Sequence, residues 1–288
     1  MKESMSRTVF TRFNYLFLSL MGLIMLLPFL HILAGSFSSG NAIMQGKVTI
    51  FPIEFTLLNF KAVLNDAAIW RSFGISIFVT VLGTAINLLL TSLMAYGLAK
   101  TDLKGRSFLI LLVLFTMIFQ APMIPSYLVV KDLGMLNTLW SIMIPNAISA
   151  FNLIIMMSFF QRIPKDLLEA ARIDGCGEYR TWWKIALPMS LPAMTTVGLF
   201  YAVGHWNGYF NSLMFIRDSS LFPLQVKLRK LLVESDAEAM MQSAELTLSS
   251  IEGIKMAAIM VATIPILVIY PFIQKYFTQG AMLGSIKE

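Results

Sequence analysis

Charged residues are scarce in this sequence: Asp, Glu, Lys and Arg make up 13% of its 288 residues, whereas hydrophobic residues make up 57%. A soluble domain could not cover its surface with so few charges, so the composition predicts a protein that crosses the membrane several times. The only cysteine is Cys176, which excludes an intramolecular disulfide framework and a metal site built from several cysteines.

The sequence motifs of common catalytic sites are also missing. The segment Gly40-Asn-Ala-Ile-Met-Gln-Gly-Lys47 comes close to a phosphate-binding loop, but five residues separate its glycines instead of four, and Val48 replaces the Ser or Thr. No metalloprotease motif, Ser/His/Asp arrangement or carboxylate pair is visible. We therefore expect no catalytic residue, no metal and no cofactor in this chain.

Six apolar runs are each long enough to cross a hydrocarbon core of about 30 Å, which takes roughly 20 helical residues. They cover approximately residues 13–35, 72–99, 107–129, 138–160, 189–214 and 253–274. The predicted fold is an all-α polytopic membrane bundle of six transmembrane helices, with one transmembrane domain over residues 13–277. Residues 1–12 and 278–288 are its two ends, and residues 161–188 and 217–252 form two polar loops.

The distribution of Lys and Arg predicts the orientation of these spans. Thirteen of the 22 basic residues lie on the side of both termini and of the 161–188 loop, and nine lie on the other side. With seven and nine acidic residues respectively, the two sides have net charges of +6 and 0. The positive-inside rule therefore makes the termini and the 161–188 loop cytoplasmic. Because the excess positive charge follows the topology, it does not indicate a nucleic-acid partner.

The 161–188 loop contains the signals of a short helix. Pro164 suits a first helical turn, where its missing N–H costs nothing, and Asp166 is favourable near the positive end of the helix dipole. Gly175 can adopt the left-handed conformation that ends a helix. The apolar side chains that share one face are those of Leu167, Leu168 and Ala171. A helix this short is marginal in water alone, which indicates that a partner holds it.

The residue spacing in this loop resembles the EAA loop of permease subunits of ATP-binding-cassette importers. The matching positions are Glu169-Ala170-Ala171, Gly175, Ile185 and Leu187-Pro188. The resemblance implies that the helix docks in a cleft of an ATPase subunit, where Glu169 pairs with a basic residue and the apolar face packs. The residues implied in coupling are Leu167, Leu168, Glu169, Ala170, Ala171, Asp174, Gly175, Ile185, Leu187 and Pro188.

Further segments resemble carbohydrate-importer permeases of the maltose MalG type and, among these, an LplC-like oligosaccharide branch. They are residues 92–100, 120–127, 133–138 and 198–218. The resemblance implies a type I importer permease in a bacterial cytoplasmic membrane, surrounded by lipid. It also implies three kinds of protein partner: a second, different permease subunit, two ATPase subunits that bind ATP and magnesium, and an extracellular solute-binding protein. The 217–252 loop would contact the binding protein, and the tail would reach the ATPases.

A cluster of polar and aromatic residues in the fifth span is a candidate contact for the cargo. Its members are His205, Trp206, Asn207, Tyr209, Phe210 and Asn211. Polar side chains at this depth should face a cavity or another helix. Sugars suit such a mixture, because aromatic faces pack on their C–H surfaces while amides bond their hydroxyls. Interhelical hydrogen bonds and interface aromatics are the alternative explanation, and the sequence leaves both open.

Two other functional classes remain as alternatives. An integral membrane enzyme acting on lipid or glycan could use His205 and Asp218 as acid and base groups. An ion-driven secondary carrier would need buried carboxylates, yet all sixteen acidic residues fall in loops or at the ends of the predicted spans. The EAA-like loop favours the importer subunit over both.

Overall fold

The computed structural model describes residues 5–119, 121–241 and 248–285. In these ranges the secondary structure is helical and contains no strand, which confirms the predicted all-α class. The predicted tail and the 217–252 loop each lie partly outside the described residues, at 286–288 and 242–247. The α-helices are α1 (Met5–Ser36), α2 (Gly40–Met44), α3 (Leu58–Asn65), α4 (Ala67–Ala99), α5 (Arg106–Ile118), α6 (Met123–Asp132), α7 (Trp140–Met143), α8 (Ala150–Phe160), α9 (Lys165–Ile173), α10 (Glu178–Thr181), α11 (Leu187–Met189), α12 (Leu191–Trp206), α13 (Phe210–Phe215), α14 (Leu224–Met241) and α15 (Leu248–Ser285). A π-helical segment, Trp182–Ala186, joins α10 to α11, and a 3-10 turn covers Ser219–Leu221.

Three helices are long and apolar enough to cross a membrane without interruption: Val9–Ser36 within α1, the whole of α4, and Ile251–Val268 within α15. They coincide with the first, second and sixth predicted spans. Two bent helix pairs pass the same test, α5 with α6 at 116° and Glu178–Met189 with α12 at 85°. They overlap the third and fifth predicted spans. The described part of the chain thus has three continuous candidate spans, or five if each bent pair is one span, rather than six.

The fourth predicted span, residues 138–160, is interrupted in its middle. It contains α7 and α8, and residues 144–149 between them are not helical. Pro145 has no N–H to continue a helix. The backbone N–H of Ser149, which precedes α8, donates to the hydroxyl of Tyr201 on α12 at 2.9 Å. Inside a membrane a freed backbone group must find such a partner in the protein, and Tyr201 supplies it.

The chain forms two compact units, one of residues 1–69 and 228–265 and the other of residues 70–227 and 266–288. In the first unit, Asn59 on α3 holds the C-terminal end of α1. Its Nδ2 donates to the carbonyls of Ser36 and Ser38, each at 3.1 Å, and the residue is buried. Gly253 leaves room for this amide, because a Cβ there would lie 2.5 Å from Asn59 Nδ2.

We expect Asn59→Ala to destabilise the first unit, because two buried carbonyls lose their donor. An unsatisfied buried polar group costs about 1–3 kcal/mol. Thermal unfolding of the detergent-solubilised protein should then show a lower midpoint. The matched control is Asn65→Ala on the same helix, where the side chain is exposed. Equal midpoints for the two variants would contradict this role of Asn59.

The core of the second unit lies where α4, α8 and α12 meet. Its central cluster of buried side chains includes Ala95, Leu98, Leu153, Met156, Ala193 and Val197. Ile163 and Trp182, which lie on either side of α9 in the 161–188 loop, belong to the same cluster. The loop that carries α9 is therefore fixed to the membrane helices on both sides of α9.

The start of the 217–252 loop is held by Asn137, a residue in the left-handed region at φ +59°. Its Oδ1 accepts hydrogen bonds from the N–H groups of Arg217 at 3.0 Å and Asp218 at 2.8 Å. The hydrogen bond from the Ser220 backbone lowers the pKa of the Asp218 carboxyl. Asp218 thus serves as the cap of the 3-10 turn.

Candidate functional site

The loop that resembles the EAA loop folds as a helix followed by a glycine turn. The helix, α9, begins directly after Pro164, which lies at the N-cap and not in the first turn. Gly175 has φ +74°, its N–H donates to the Arg172 carbonyl at 3.0 Å, and the Cys176 N–H donates to the Ala171 carbonyl at 2.9 Å. Glycine reaches this left-handed conformation without the steric cost that a Cβ brings. The helix α9 therefore ends at Ile173, and Gly175 forms the left-handed turn that follows it.

One face of α9 packs against its own chain. Ala171 is buried, and Leu168 packs against the core cluster of the second unit. Leu167, by contrast, is 45% exposed. Two of the three side chains that were predicted to pack on an ATPase thus face inward. They anchor the loop on the membrane helices of the same chain.

The opposite face of α9 is open to a partner. Successive residues turn by about 100° around a helix, so Glu169, Ala170 and Ile173 lie opposite the inward face, and all three are exposed. We call these three residues the outward face. Ile173 is 86% exposed, and it was missed in the sequence analysis. An isoleucine in the last turn, on the side of the helix opposite Leu168 and Ala171, is the signal that could have identified it.

The remaining predicted coupling residues lie around the turn and at the entry to α12. Asp174 is exposed, and its N–H donates to the Ala170 carbonyl at 2.9 Å. Ile185 lies half-buried in the π-helical segment, Leu187 packs against the core cluster, and Pro188 is exposed. These last three residues therefore lie where the loop joins α12.

A cluster of charged and polar groups surrounds Glu178, the first residue of α10. Its Oε2 lies 2.5 Å from Lys100 Nζ and accepts a hydrogen bond from the Tyr96 hydroxyl at 3.1 Å. Its Oε1 accepts from Arg172 Nη2 at 3.2 Å. The hydrogen bond from Lys100 is the main cause that lowers the pKa of the Glu178 carboxyl. The group therefore stays ionised at neutral pH.

A cavity of about 420 Å³ lies within the second unit and is lined from α4, α8, α12 and α13. Its lining carries several polar side chains but no charge, since no Asp, Glu, Lys or Arg in the described part of the chain contributes to it. Two aromatic rings, those of Phe151 and Phe200, also line it. The polar lining residues are Asn87, Asn146, Ser149, Asn152, Tyr201, His205, Asn211 and Ser212. Amides and hydroxyls beside aromatic rings are groups that can contact the hydroxyls and the C–H faces of a sugar.

The pair His205 and Asn87 joins α12 to α4 at the wall of this cavity. His205 Nε2 and Asn87 Nδ2 are 3.0 Å apart. The His205 ring also lies close to the backbone of α4, because a Cβ on Gly83 would be 2.6 Å from Nε2. Gly83 is therefore required for the approach of the imidazole.

The predicted cargo cluster in the fifth span is divided by the structure. His205 and Asn211 line the cavity, whereas the other four members do not. Trp206 is buried and meets Phe73 edge to face at 6.0 Å, and Asn207 Nδ2 donates to the Val203 carbonyl at 3.0 Å. Tyr209 packs in a second core cluster, and Phe210 is 57% exposed.

Most of the polar residues that line the cavity were not predicted from the sequence. Asn87 and Asn152 stand inside long apolar runs, and a polar amide in a predicted span was the signal that could have pointed to them. Asn146 and Ser149 lie in the interruption between α7 and α8, which was not predicted. Tyr201 links these groups, because its hydroxyl contacts both Ser149 N and Thr91 Oγ1, the latter at 2.7 Å.

No group of three or more His, Cys, Asp or Glu side chains that could hold a metal ion occurs within the described ranges. Cys176 is half-buried, and His205 has Asn87 as its side-chain partner. The expectation that this chain holds no metal or cofactor remains a prediction.

Residues 103–282 match a protein family described as binding-protein-dependent transport system inner membrane component. Two relatives from Bacillus subtilis (strain 168) match over nearly their full lengths. Protein LplC is 48% identical over 100% of this chain and 98% of the relative. The polygalacturonan/rhamnogalacturonan transport system permease protein YtcP is 45% identical over 98% of this chain and 100% of the relative.

The fold is similar to that of solved transporters. A bacterial ABC transporter involved in the import of the acidic polysaccharide alginate contains a chain with a TM-score of 0.87 and 35% identity, with 96% of this chain and 99% of that chain covered. A chain in the bacterial alginate ABC transporter in complex with an alginate pentasaccharide-bound periplasmic protein has a TM-score of 0.57 at 13% identity, with 94% and 96% covered. The second similarity is one of fold alone.

Proposed function

Since the chain belongs to the family of binding-protein-dependent transport system inner membrane components, we propose that it forms half of the translocation pathway of an importer for oligosaccharides. It is a multi-pass membrane protein and a transporter subunit rather than an enzyme. The alternative hypothesis of an integral membrane enzyme is therefore wrong. In our proposal a second permease subunit completes the pathway, two ATPase subunits drive it, and an extracellular binding protein delivers the cargo.

The outward face of α9 is the single observation that carries the coupling role. Glu169, Ala170 and Ile173 are exposed on a helix whose other face is anchored in the core of the chain. An isoleucine that is 86% exposed is unfavourable in water and suits an apolar partner surface. Small Ala170 permits close approach, and Glu169 offers a carboxylate to a cation. We propose that this face docks in a cleft of an ATPase subunit, with both termini of the chain on the same, cytoplasmic side.

The uncharged polar cavity supports a sugar as the cargo. The curated relative YtcP is named for polygalacturonan and rhamnogalacturonan transport, and another relative at 28% identity is named for arabinooligosaccharides. Both cargo types are chains of hydroxyl-rich rings. Amides and hydroxyls in the cavity can bond those hydroxyls, while Phe151 and Phe200 can pack on ring C–H faces. We propose that an oligosaccharide passes this wall of the cavity during import.

We expect Asn211→Ala to raise the half-saturation concentration for uptake, because one hydrogen bond to the cargo is lost. A typical hydrogen bond contributes about 0.5–1.5 kcal/mol, which corresponds to roughly two- to tenfold in affinity. The matched control is Asn207→Ala, four residues earlier, because Asn207 does not line the cavity and bonds its own helix. Equal changes in both variants, measured with labelled oligosaccharide in membrane vesicles, would contradict the assignment of the cavity.

Uptake in cells that lack this chain tests the proposed function as a whole. At least one labelled oligomer, galacturonide or arabinan, should enter the parent strain but not the deleted strain. Complementation should restore this uptake, and ATP depletion should abolish it. If every oligomer entered the deleted strain at the rate of the parent, the importer function would be excluded.

A further inference from the structure

Glu178 connects the cytoplasmic helix to a membrane helix through its two carboxylate oxygens. Oε1 accepts from Arg172 on α9 at 3.2 Å. Oε2 contacts Lys100 at 2.5 Å and the Tyr96 hydroxyl at 3.1 Å, both at the C-terminal end of α4. The carboxylate therefore lies between two elements and uses one oxygen for each.

The contribution of this cluster to folding stability is small. The side chains of Arg172 and Glu178 are 52% and 50% exposed, and that of Lys100 is 25% exposed. Ion pairs at such exposure add little to the free energy of unfolding. The core cluster, which contains Ile163 and Trp182 and against which Leu168 packs, already anchors the loop. What distinguishes the Glu178 cluster is that one carboxylate contacts both α9 and the C-terminal end of α4.

The C-terminal end of α4, where Tyr96 and Lys100 lie, is held by contacts with neighbouring side chains. Lys100 Nζ lies 4.9 Å from the centre of the Tyr96 ring, and that ring meets Phe160 of α8 edge to face at 5.9 Å. Arg106 Nε donates to the Leu98 carbonyl at 2.8 Å and so satisfies a backbone group in the last turn of α4. A force applied at Glu178 therefore acts on an ordered helix end.

The other functional position on α4 is Asn87, thirteen residues before Lys100. At 1.5 Å per residue the two positions are about 20 Å apart along the helix. Asn87 lines the cavity and contacts His205 on α12. One continuous helix thus joins the Glu178 cluster to the cavity wall.

We propose that Glu178 is the joint through which a displacement of α9 is passed to α4, and through α4 to the cavity wall at Asn87 and His205. This inference rests on the proposed docking of α9 on an ATPase subunit. Glu178 is a positioning residue, since it contacts neither the nucleotide nor the cargo. Because its two oxygens serve different elements, movement of Arg172 pulls the carboxylate against Lys100 and Tyr96.

The test is Glu178→Gln in the complete transporter, purified with its ATPases and reconstituted in proteoliposomes. ATP hydrolysis and oligosaccharide uptake are measured on the same sample. The amide keeps the shape of the side chain but loses the charge that holds Lys100 and Arg172 together. We expect the ATPases to remain bound and ATP hydrolysis to continue, while uptake per ATP falls by about 2- to 30-fold. The control is Asp132→Asn, an exposed acid at the end of α6, which should leave that ratio unchanged.

A charge exchange separates the joint from a general structural defect. The Lys100→Glu variant places a second carboxylate beside Glu178, so uptake per ATP should fall. The triple variant Glu178→Lys with Lys100→Glu and Arg172→Glu restores both ion pairs with reversed charges and should recover part of the lost uptake per ATP. An unchanged ratio in Glu178→Gln, or no recovery in the triple variant, would overturn the joint. Loss of the ATPases from Glu178→Gln alone would also overturn it, whereas their absence from the unaltered complex would instead refute the proposed docking of α9.

Discussion

Replacement of Ile173 by an acid, Ile173→Asp, is expected to release the ATPase subunits from the solubilised complex and to abolish uptake. Ile173 is 86% exposed in the isolated chain, so its loss should not disturb the fold. In a docked complex its burial would contribute about 1.5–3 kcal/mol, and an unpaired carboxylate in the same place would add a desolvation cost. We expect ATPase retention, measured by quantitative pull-down, to fall by at least about tenfold.

The control for this prediction is Ile173→Val, which keeps an apolar side chain at the same position. It should retain most of the bound ATPase and most of the uptake. The amount of chain in the membrane should be equal in both variants, because the inward face of α9 is unchanged. Full ATPase retention in Ile173→Asp would contradict the outward face as a docking surface.

Gly175→Val is expected to cause the second large loss of transport. Gly175 has φ +74°, and a residue with a Cβ in the left-handed region costs roughly 1–2 kcal/mol, with a further penalty for a β-branched residue. No atom lies within 4 Å of the position that a Cβ would take, so the effect is conformational and not a clash. The turn after α9 should open, and uptake should fall although the chain is still inserted in the membrane.

Two controls accompany Gly175→Val. Gly177→Val, two residues along, should be tolerated, because Gly177 has φ −68° and ψ 162°, which suit any residue, and no atom lies within 4 Å of its Cβ position. Gly175→Asn should keep most of the uptake, since Asn adopts the left-handed conformation more readily than Val. If Gly175→Val transported at the normal rate, the left-handed turn would not be needed for coupling.

The architecture of the membrane helices could be predicted only in part from the sequence. Long apolar runs identified α1, α4 and α15, because hydrophobicity over about 20 residues is a local property. The interruption at residues 144–149 could not be predicted in this way. Pro145 is a local signal, but the break is stabilised by Tyr201 on α12, more than fifty positions along the chain from Ser149. Such a partner becomes visible only when the helices are packed.

The 161–188 loop was likewise predictable where local backbone chemistry decides its structure and unpredictable where tertiary packing decides it. The start of α9 after Pro164 and the left-handed turn at Gly175 followed from backbone chemistry. Which face of α9 would be open did not follow, because Leu168 and Ala171 are equally suited to packing on a partner or on the same chain. Their contact with the core cluster decides the question and leaves Glu169, Ala170 and Ile173 outside.

The cavity residues were the least predictable part of the site. His205 and Asn211 were found because polar residues cluster in one short stretch of the fifth span. Asn87, Asn146 and Asn152 come from other helices and connections and meet them only in the folded unit. Trp206 and Phe210 were predicted as cargo contacts because they are close to these residues in sequence, but they lie outside the cavity lining.

Gentle purification of this chain from its native membrane, followed by mass spectrometry of the proteins that accompany it, tests the central claim most directly. Our account predicts an ATPase, a second permease subunit and a solute-binding protein in the same preparation, with the ATPase lost in Ile173→Asp. Recovery of the chain alone, under conditions in which a known importer of this family keeps its ATPases, would contradict the account.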